Sequence, residues 1–192
     1  MFSMAGCSDS SKDADLRPLP TVAASGELLC GFVSKDSLAI VLGTTDLRGA
    51  GSKVGSPGSG QDPGEPSLQE AQCRISTVKA SGVGDVTVVV EPLGVSPVDD
   101  AIVPSTLASG RSEYVFPDTE GMGYAASGKT FATGDAVSNL IVGDWTYGVM
   151  IDKSLKGRNA VDDVVALTRQ VVATLNLPKV GKLPRPTATP TK

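Results

Sequence analysis

Apolar and polar residues alternate over several stretches of this chain, and two further stretches switch to a helical period. Cys73, Ile75 and Thr77 alternate with Arg74 and Ser76, and Val86, Val88 and Val90 with Thr87 and Val89. A period of two marks half-buried strands. Ser81-Gly82-Val83-Gly84-Asp85 between them is turn chemistry, so the pair predicts an antiparallel hairpin. Trp145, Tyr147, Val149 and Ile151 alternate over the best-defined strand, and Gly143-Asp144 is placed to turn it back on residues 137–142. Shorter runs at 114–116, 124–126 and 130–133 read as further strands. Ser34 is placed to cap a short helix, with Val33 and Leu38 in the positions of a hydrophobic staple, Leu38, Val41 and Leu42 on one face, and Gly43 as the stop. Asn159 caps a longer one, whose Val161, Val164, Val165, Thr168, Val172 and Leu175 form one stripe; Asp162 and Asp163 sit near its positive end, and Asn176 and Pro178 terminate it. A short helix near residues 97–101 is compatible with the proline-broken stretch that follows Pro92. The expectation is an α+β fold: a twisted, mainly antiparallel sheet of five to seven strands, with an N-terminal short helix and a C-terminal helix packed on it.

The segments without a period divide the rest. Residues 8–26 are mostly Ser, Asp, Lys, Ala and Pro and read as a flexible tether; 44–67 read as a mobile Gly/Ser/Pro-rich loop; 179–192 read as a disordered Pro-rich tail. One domain, 27–178, remains, which suits a chain of 192 residues with a single core.

Composition removes several chemistries. The chain has no histidine, which takes away the commonest general base and the usual zinc or copper ligand. A net charge of −4 with no basic cluster is the wrong surface for nucleic acid, which needs phosphate neutralisation. Neither a cofactor nor a metal site is expected. Gly123-Tyr124-Ala125-Ala126-Ser127-Gly128-Lys129-Thr130 matches the phosphate-loop pattern. Its flanks do not, since Pro117-Asp118-Thr119-Glu120 stands where an apolar strand should deliver it and Thr133-Gly134-Asp135 breaks the helix that should follow. Ser127-Gly128-Lys129 is read instead as a hairpin turn. Asp99-Asp100 and Asp162-Asp163 are neighbours in sequence, so their carboxylates point apart and read as surface or helix-start charge. Trp145 reads as core packing. No catalytic residue is expected.

Three cysteines carry the remaining signal. Ser3-Met4-Ala5-Gly6-Cys7 reads as the attachment box of a bacterial lipoprotein, with residues 1–7 the remnant of its signal and Met1 internal to it; the competing reading is a chance box. With lipid on Cys7, the even pair Cys30 and Cys73 predicts a disulfide in an exported domain, two separate buried thiols being the alternative.

A resemblance joins these features. Leu29-Cys30-Gly31-Phe32-Val33 with Gly43, Gln72-Cys73-Arg74-Ile75, Gly121-Met122-Gly123-Tyr124-Ala125, and a closing strand and helix at 141–151 and 160–175 resemble small actinobacterial lipoproteins that carry a two-cysteine domain of unknown function. The likeness runs over residues 27–178, with Ile75 where that family often has an aromatic. It implies a sheet flanked by helices, similar to PsbP-like lipoproteins, and brings no activity or catalytic residue. The functional expectation is therefore an extracytoplasmic lipoprotein held to the outer face of the cell membrane through Cys7. It would act as a non-enzymatic binding or accessory module for an envelope protein, a lipid or a cell-wall polymer. The alternatives are a carrier of a small apolar or lipid ligand and, further off, an unrecognised hydrolase or a P-loop nucleotide binder.

Overall fold

Val86, Val88 and Val90 face Ile151, Val149 and Tyr147 across the centre of a seven-stranded antiparallel sheet, and every strand adds outward from that pair. In this computed structural model residues 15–52, 71–78, 85–94, 97–131 and 134–177 are described, the side chains of 52 and 97–100 excepted. In chain order the elements are β1 (Leu28–Leu29), β2 (Val33–Ser34), α1 (Lys35–Leu42), β3 (Leu47–Ser52), β4 (Ala71–Thr77), β5 (Val86–Pro92), α2 (Pro97–Ser109), β6 (Tyr114–Val115), β7 (Met122–Ser127), α3 (Gly128–Phe131), β8 (Ala136–Val142), β9 (Trp145–Ile151) and α4 (Ala160–Leu175). The large sheet runs β3-β4-β5-β9-β8-β7-β6, and β1 and β2 form a separate hairpin.

The α+β expectation holds, with the hairpin of β4 and β5, the hairpin of β8 and β9, α1 and α4 all where the pattern puts them. The Ser34 hydroxyl accepts from the Ser37 amide, and Val33 and Leu38 are fully buried beside it. Asn159 caps α4 by accepting from Val161 and Asp162. α4 lies on one face of the sheet, where Val164, Leu167 and Val171 meet Leu140, Trp145, Tyr147 and Val149 in one core. A buried hydroxyl pair pins the contact: Thr168 donates to the Val164 carbonyl, so Ser138 of β8 must donate to Thr168, at 2.5 Å. Arg169 ties the far edge to the same helix. It forms a bidentate pair with Glu120 at 2.7 and 2.8 Å, donates to the Tyr114 hydroxyl, and lies over the Tyr114 and Phe116 rings.

Several expectations fail, each for a tertiary reason. The 44–67 loop is not irregular from its start: Leu47–Ser52 pairs with β4 as an edge strand. Its glycines obscure it, yet the pairing needs them. A Cβ on Gly49 would stand 3.1 Å from the Cys30 sulfur, and one on Gly51, at φ +155°, would stand 1.9 Å from the Gln72 carbonyl oxygen. Thr130 and Phe131 are not in a strand, and Ser127-Gly128-Lys129 is not a tight turn, because Gly128–Phe131 coils into one helical turn between β7 and β8; residues 132 and 133 of the expected strand lie outside the described residues. The short helix near 97–101 continues to Ser109 through Pro104, since Val103 and Thr106 are buried and Ile102 and Leu107 pack against Tyr124 and Ala126 of β7.

The proposed tether is also shorter than 8–26. From Asp15 to Ala24 the chain is docked along α4, on a line of that helix that the apolar stripe does not include. Asp163, Ala166, Gln170 and Thr174 make that line, spaced as neighbours on one helical face. Gln170 donates to the Pro20 carbonyl, Thr174 accepts from the Ala24 amide, and Leu19 is buried in the core. Arg158 closes the strap at its beginning. Its guanidinium forks onto Asp163 at 2.5 and 2.7 Å and also donates to the carbonyls of Asp15 and Arg17. Asp163 is therefore no surface charge: the two side chains are only 4% and 3% exposed. The pair holds the Arg158 guanidinium above its already high pKa. Cys7, residues 53–67, the 81–84 turn and the 179–192 tail lie outside the described residues.

The Cys30–Cys73 disulfide is formed, joining the β1–β2 turn to β4 across 43 residues with Cα atoms 5.8 Å apart. Cys30 sits at φ +52°, unusual for a residue with a Cβ, and this turns its sulfur under β3. In the chain-entropy account, a closed loop of that length stabilises by about 4 kcal/mol. Cys30→Ser is expected to lower the melting temperature by several degrees, read by calorimetry under non-reducing conditions. An unchanged melting temperature would show that the strands hold the hairpin without the link.

Asp163→Ala leaves the Arg158 guanidinium buried without its partner, and such a loss costs about 3 to 5 kcal/mol. Pairing Arg158→Met with Asp163→Leu is expected to recover most of that in urea unfolding. In both variants amide hydrogen exchange over residues 15–24 should quicken, because the strap has lost its anchor.

Candidate functional site

Alternation along each strand divides the large sheet into two unequal faces. Ala136, Ser138 and Leu140, Trp145 to Ile151 in steps of two, and Val86, Val88 and Val90 point to α4. The opposite face carries Val137, Asn139 and Ile141 of β8, Thr146, Gly148 and Met150 of β9, and Thr87, Val89 and Glu91 of β5. α2 covers this face only over β7 and the edge of β8. The rest forms an open groove of about 360 Å3 whose floor is β8, β9 and β5.

The register sets the groove's chemistry in rows. Asn139, Gly148 and Val89 stand side by side in the central row, Val137, Met150 and Thr87 in the next. Gly148 makes the floor low at its middle: a Cβ there would come within 3.3 Å of the Asn139 amide oxygen. Asn139 is itself held, its amide nitrogen donating to the hydroxyl of buried Tyr124 at 3.0 Å. The result is a half-buried surface with apolar patches (Val89, Val137, Met150) and polar groups (Asn139, Thr87, Thr146), bordered by the acid Glu91. It suits contact with an extended or flat partner more than enclosure of a small molecule.

The residues named in advance for chemistry fall elsewhere. Gly123 to Ser127 of the phosphate-loop pattern lie extended in β7 and pair with β8, and the Ser127 amide donates to the Glu113 carboxylate, so this stretch does not curl around an anion. Ser127 donates from its hydroxyl to Glu113, which keeps that carboxyl below its ordinary pKa, and Lys129 is exposed. Trp145 is in the core. The side chains of Asp99 and Asp100 lie outside the described residues. Among the described residues no group of three or more His, Cys, Asp or Glu side chains is placed to hold a metal ion. Burial pushes the Tyr147 phenol up to about 12, on the α4 side of the sheet and away from the groove. Sequence reasoning missed the groove because its residues are ordinary strand residues; the weak signal available was Gly148, a glycine inside the best-defined strand.

Three carboxylates share one end of the sheet. The Asp152 amide donates to the Asp85 carbonyl, the Asp135 amide to the Ile151 carbonyl, and Ser154 donates twice to the Asp135 carboxylate. Partial burial and the charges of Asp85 and Asp135 raise the Asp152 pKa. A raised folded pKa means that stability present below the unfolded pKa is lost as pH rises through the folded one. Asp152→Asn is therefore expected to raise the melting temperature at pH 7 and leave it unchanged near about pH 3, below the usual carboxylate value. A stabilisation equal at both pH values would assign the gain to packing.

No family model matches this chain, and neither a curated protein nor a solved structure matches it.

Proposed function

We propose that this protein is a membrane-anchored extracytoplasmic lipoprotein, lipidated at Cys7, that acts as a non-enzymatic binding or accessory module of the cell envelope. Its contact surface is the open groove on β8, β9 and β5. The observation that carries this reading is the one-sided cover of the sheet: α1, α4 and the strap close one face, while the other is left half-covered with a mixed, ordered lining. A formed disulfide supports an oxidising compartment, where such links persist. A carrier of an apolar ligand would keep its cavity between helix and sheet, and that space is filled by Val86, Val88, Tyr147, Val149 and Leu167.

The reading is tested with a photo-crosslinking residue at Val89, in the groove, or at Asp118, exposed on the β6–β7 loop. Irradiation in intact cells should give one discrete adduct to an envelope component from position 89 and none from 118. Adding Met150→Arg should abolish the adduct while moving stability by no more than about 0.5 kcal/mol, as half-exposed positions away from the core allow. Equal labelling from both positions, or an adduct indifferent to Met150→Arg, rejects the groove as the contact surface.

A further inference from the structure

We infer that the groove takes an extended peptide segment of an envelope protein, with a lysine or arginine laid toward the carboxylates of Asp85, Asp135 and Asp152 and an apolar residue two to four positions along seated over Met150 and Gly148. This names the partner of the proposed contact surface and rests on that reading. The register places the acids at one end of the groove. Asp85 and Asp152 are cross-strand neighbours joined through the Asp152 amide, one step of two residues beyond the pair Thr87 and Met150, so alternation turns both side chains to the groove face. Asp135, two residues before Val137 of β8, is close enough for its charge to act on Asp152.

The sign of that end is unopposed. Among the described residues no cation pairs with the three carboxylates: Arg48 donates to the Val78 carbonyl, Arg74 stands beside Thr87 on β4 without an acidic partner, and the ion pairs that form lie elsewhere. One oxygen of Asp85 accepts from the Thr77 amide and one of Asp135 from Ser154, while no described residue is hydrogen-bonded to the Asp152 carboxylate. Each carboxylate keeps acceptor capacity for a further donor. Like charges held half-buried beside apolar side chains repel one another, and an incoming cation relieves them.

The chemistry of the groove selects a peptide as the carrier of that cation. Among the described residues these acids do not form a group placed to hold a metal ion, whereas a lysine or arginine brings its charge on a long flexible stem and needs no fixed coordination sphere. An anionic polymer or lipid headgroup would meet the acids with like charge, and a neutral glycan would leave them unopposed. An extended peptide also has the matching repeat, since its alternate side chains and the successive rows of the sheet are both spaced at about 7 Å. With its basic residue over the acids, the residue two positions on lies over the row of Thr87, Met150 and Val137. The residue four positions on lies over the row of Val89, Gly148 and Asn139, where Gly148 leaves the floor low.

The test selects short random peptides displayed on phage against the full chain with its disulfide formed, and then titrates an enriched peptide in calorimetry. Enriched sequences are expected to carry Lys or Arg two to four residues from an apolar residue. Replacing that basic residue by glutamine should weaken binding to the native chain about ten-fold, but by less than about two-fold on the chain carrying Asp85→Asn and Asp152→Asn, where each asparagine keeps an oxygen acceptor. Met150→Arg should abolish binding of both peptides. Enriched peptides without a basic residue, or a glutamine replacement that costs as much on the double variant as on the native chain, overturn the cationic partner, and their loss with Met150→Arg would still leave the groove as the contact surface. Enrichment of no peptide overturns the peptide as occupant; retention of the chain on phosphatidylglycerol vesicles or on isolated cell-wall polysaccharide, lost with Met150→Arg, would then assign the groove to lipid or glycan. Peptides that bind Met150→Arg as well as the native chain overturn the groove itself.

Discussion

The packing of α4 on the β8–β9 half of the sheet is the contact on which the rest of the molecule depends. Val164, Leu167 and Val171 bury fully there, and each such side chain contributes on the order of 1.5 to 3 kcal/mol relative to exposure. No other helix meets so much of the sheet. Once one face is committed to α4, a second helix of comparable amphipathic strength would be needed to close the other. Among the described residues only α2 is available, and its buried residues reach Tyr124 and Ala126 and stop short of β9. The groove follows from this shortage: among the described residues it is the portion of the sheet that the helices and the strap do not cover.

α4 has a second role that its apolar stripe does not show. Its Asp163, Gln170 and Thr174 hold the chain that enters the domain, with Arg158 supplying four hydrogen bonds at the entrance. A buried ion pair gains little over an apolar pair of the same size, because desolvation offsets the attraction. What it contributes is geometry, since a guanidinium forked on a carboxylate can direct its remaining donors at two backbone carbonyls and fix where the strap begins. Gln170 is less complete: its amide nitrogen reaches Pro20, while its amide oxygen has no hydrogen-bond partner among the described residues. A bound water is the ordinary remedy for such a group.

The disulfide and the edge strand form one unit at the opposite margin. Cys30 must enter the left-handed region for its sulfur to reach Cys73, and β3 must carry glycine at position 49 to pass over the bond. Each requirement explains a feature that looks arbitrary in isolation. The β1–β2 hairpin is two residues a side, far too short to persist alone, and it is held by this link and by Phe32 and Val33 in the core.

Local pattern determined those elements whose own residues state both period and ends. β4, β5, β8 and β9 alternate cleanly, and α1 and α4 carry their caps as Ser34 and Asn159, so sequence sufficed for them and for the α+β class. The cysteine pairing was legible too, because two cysteines in one domain allow one bond. What only the tertiary structure decided lies where a residue's role depends on a distant partner. Leu47–Ser52 is a strand because β4 offers it a ladder, although Gly49 and Gly51 disfavour extended structure by themselves. Asp163 looks like a helix-start charge until Arg158, five residues earlier, folds over it and captures a segment nearly 150 residues upstream. The 15–26 stretch lacks any apolar period because it packs through backbone carbonyls, one backbone amide and a single leucine, and backbone groups are the same in nearly every sequence. The groove was equally silent. Alternation tells that a strand has two faces, but which face a helix leaves uncovered is settled by how far α2 extends across the sheet, and that is a fact of packing.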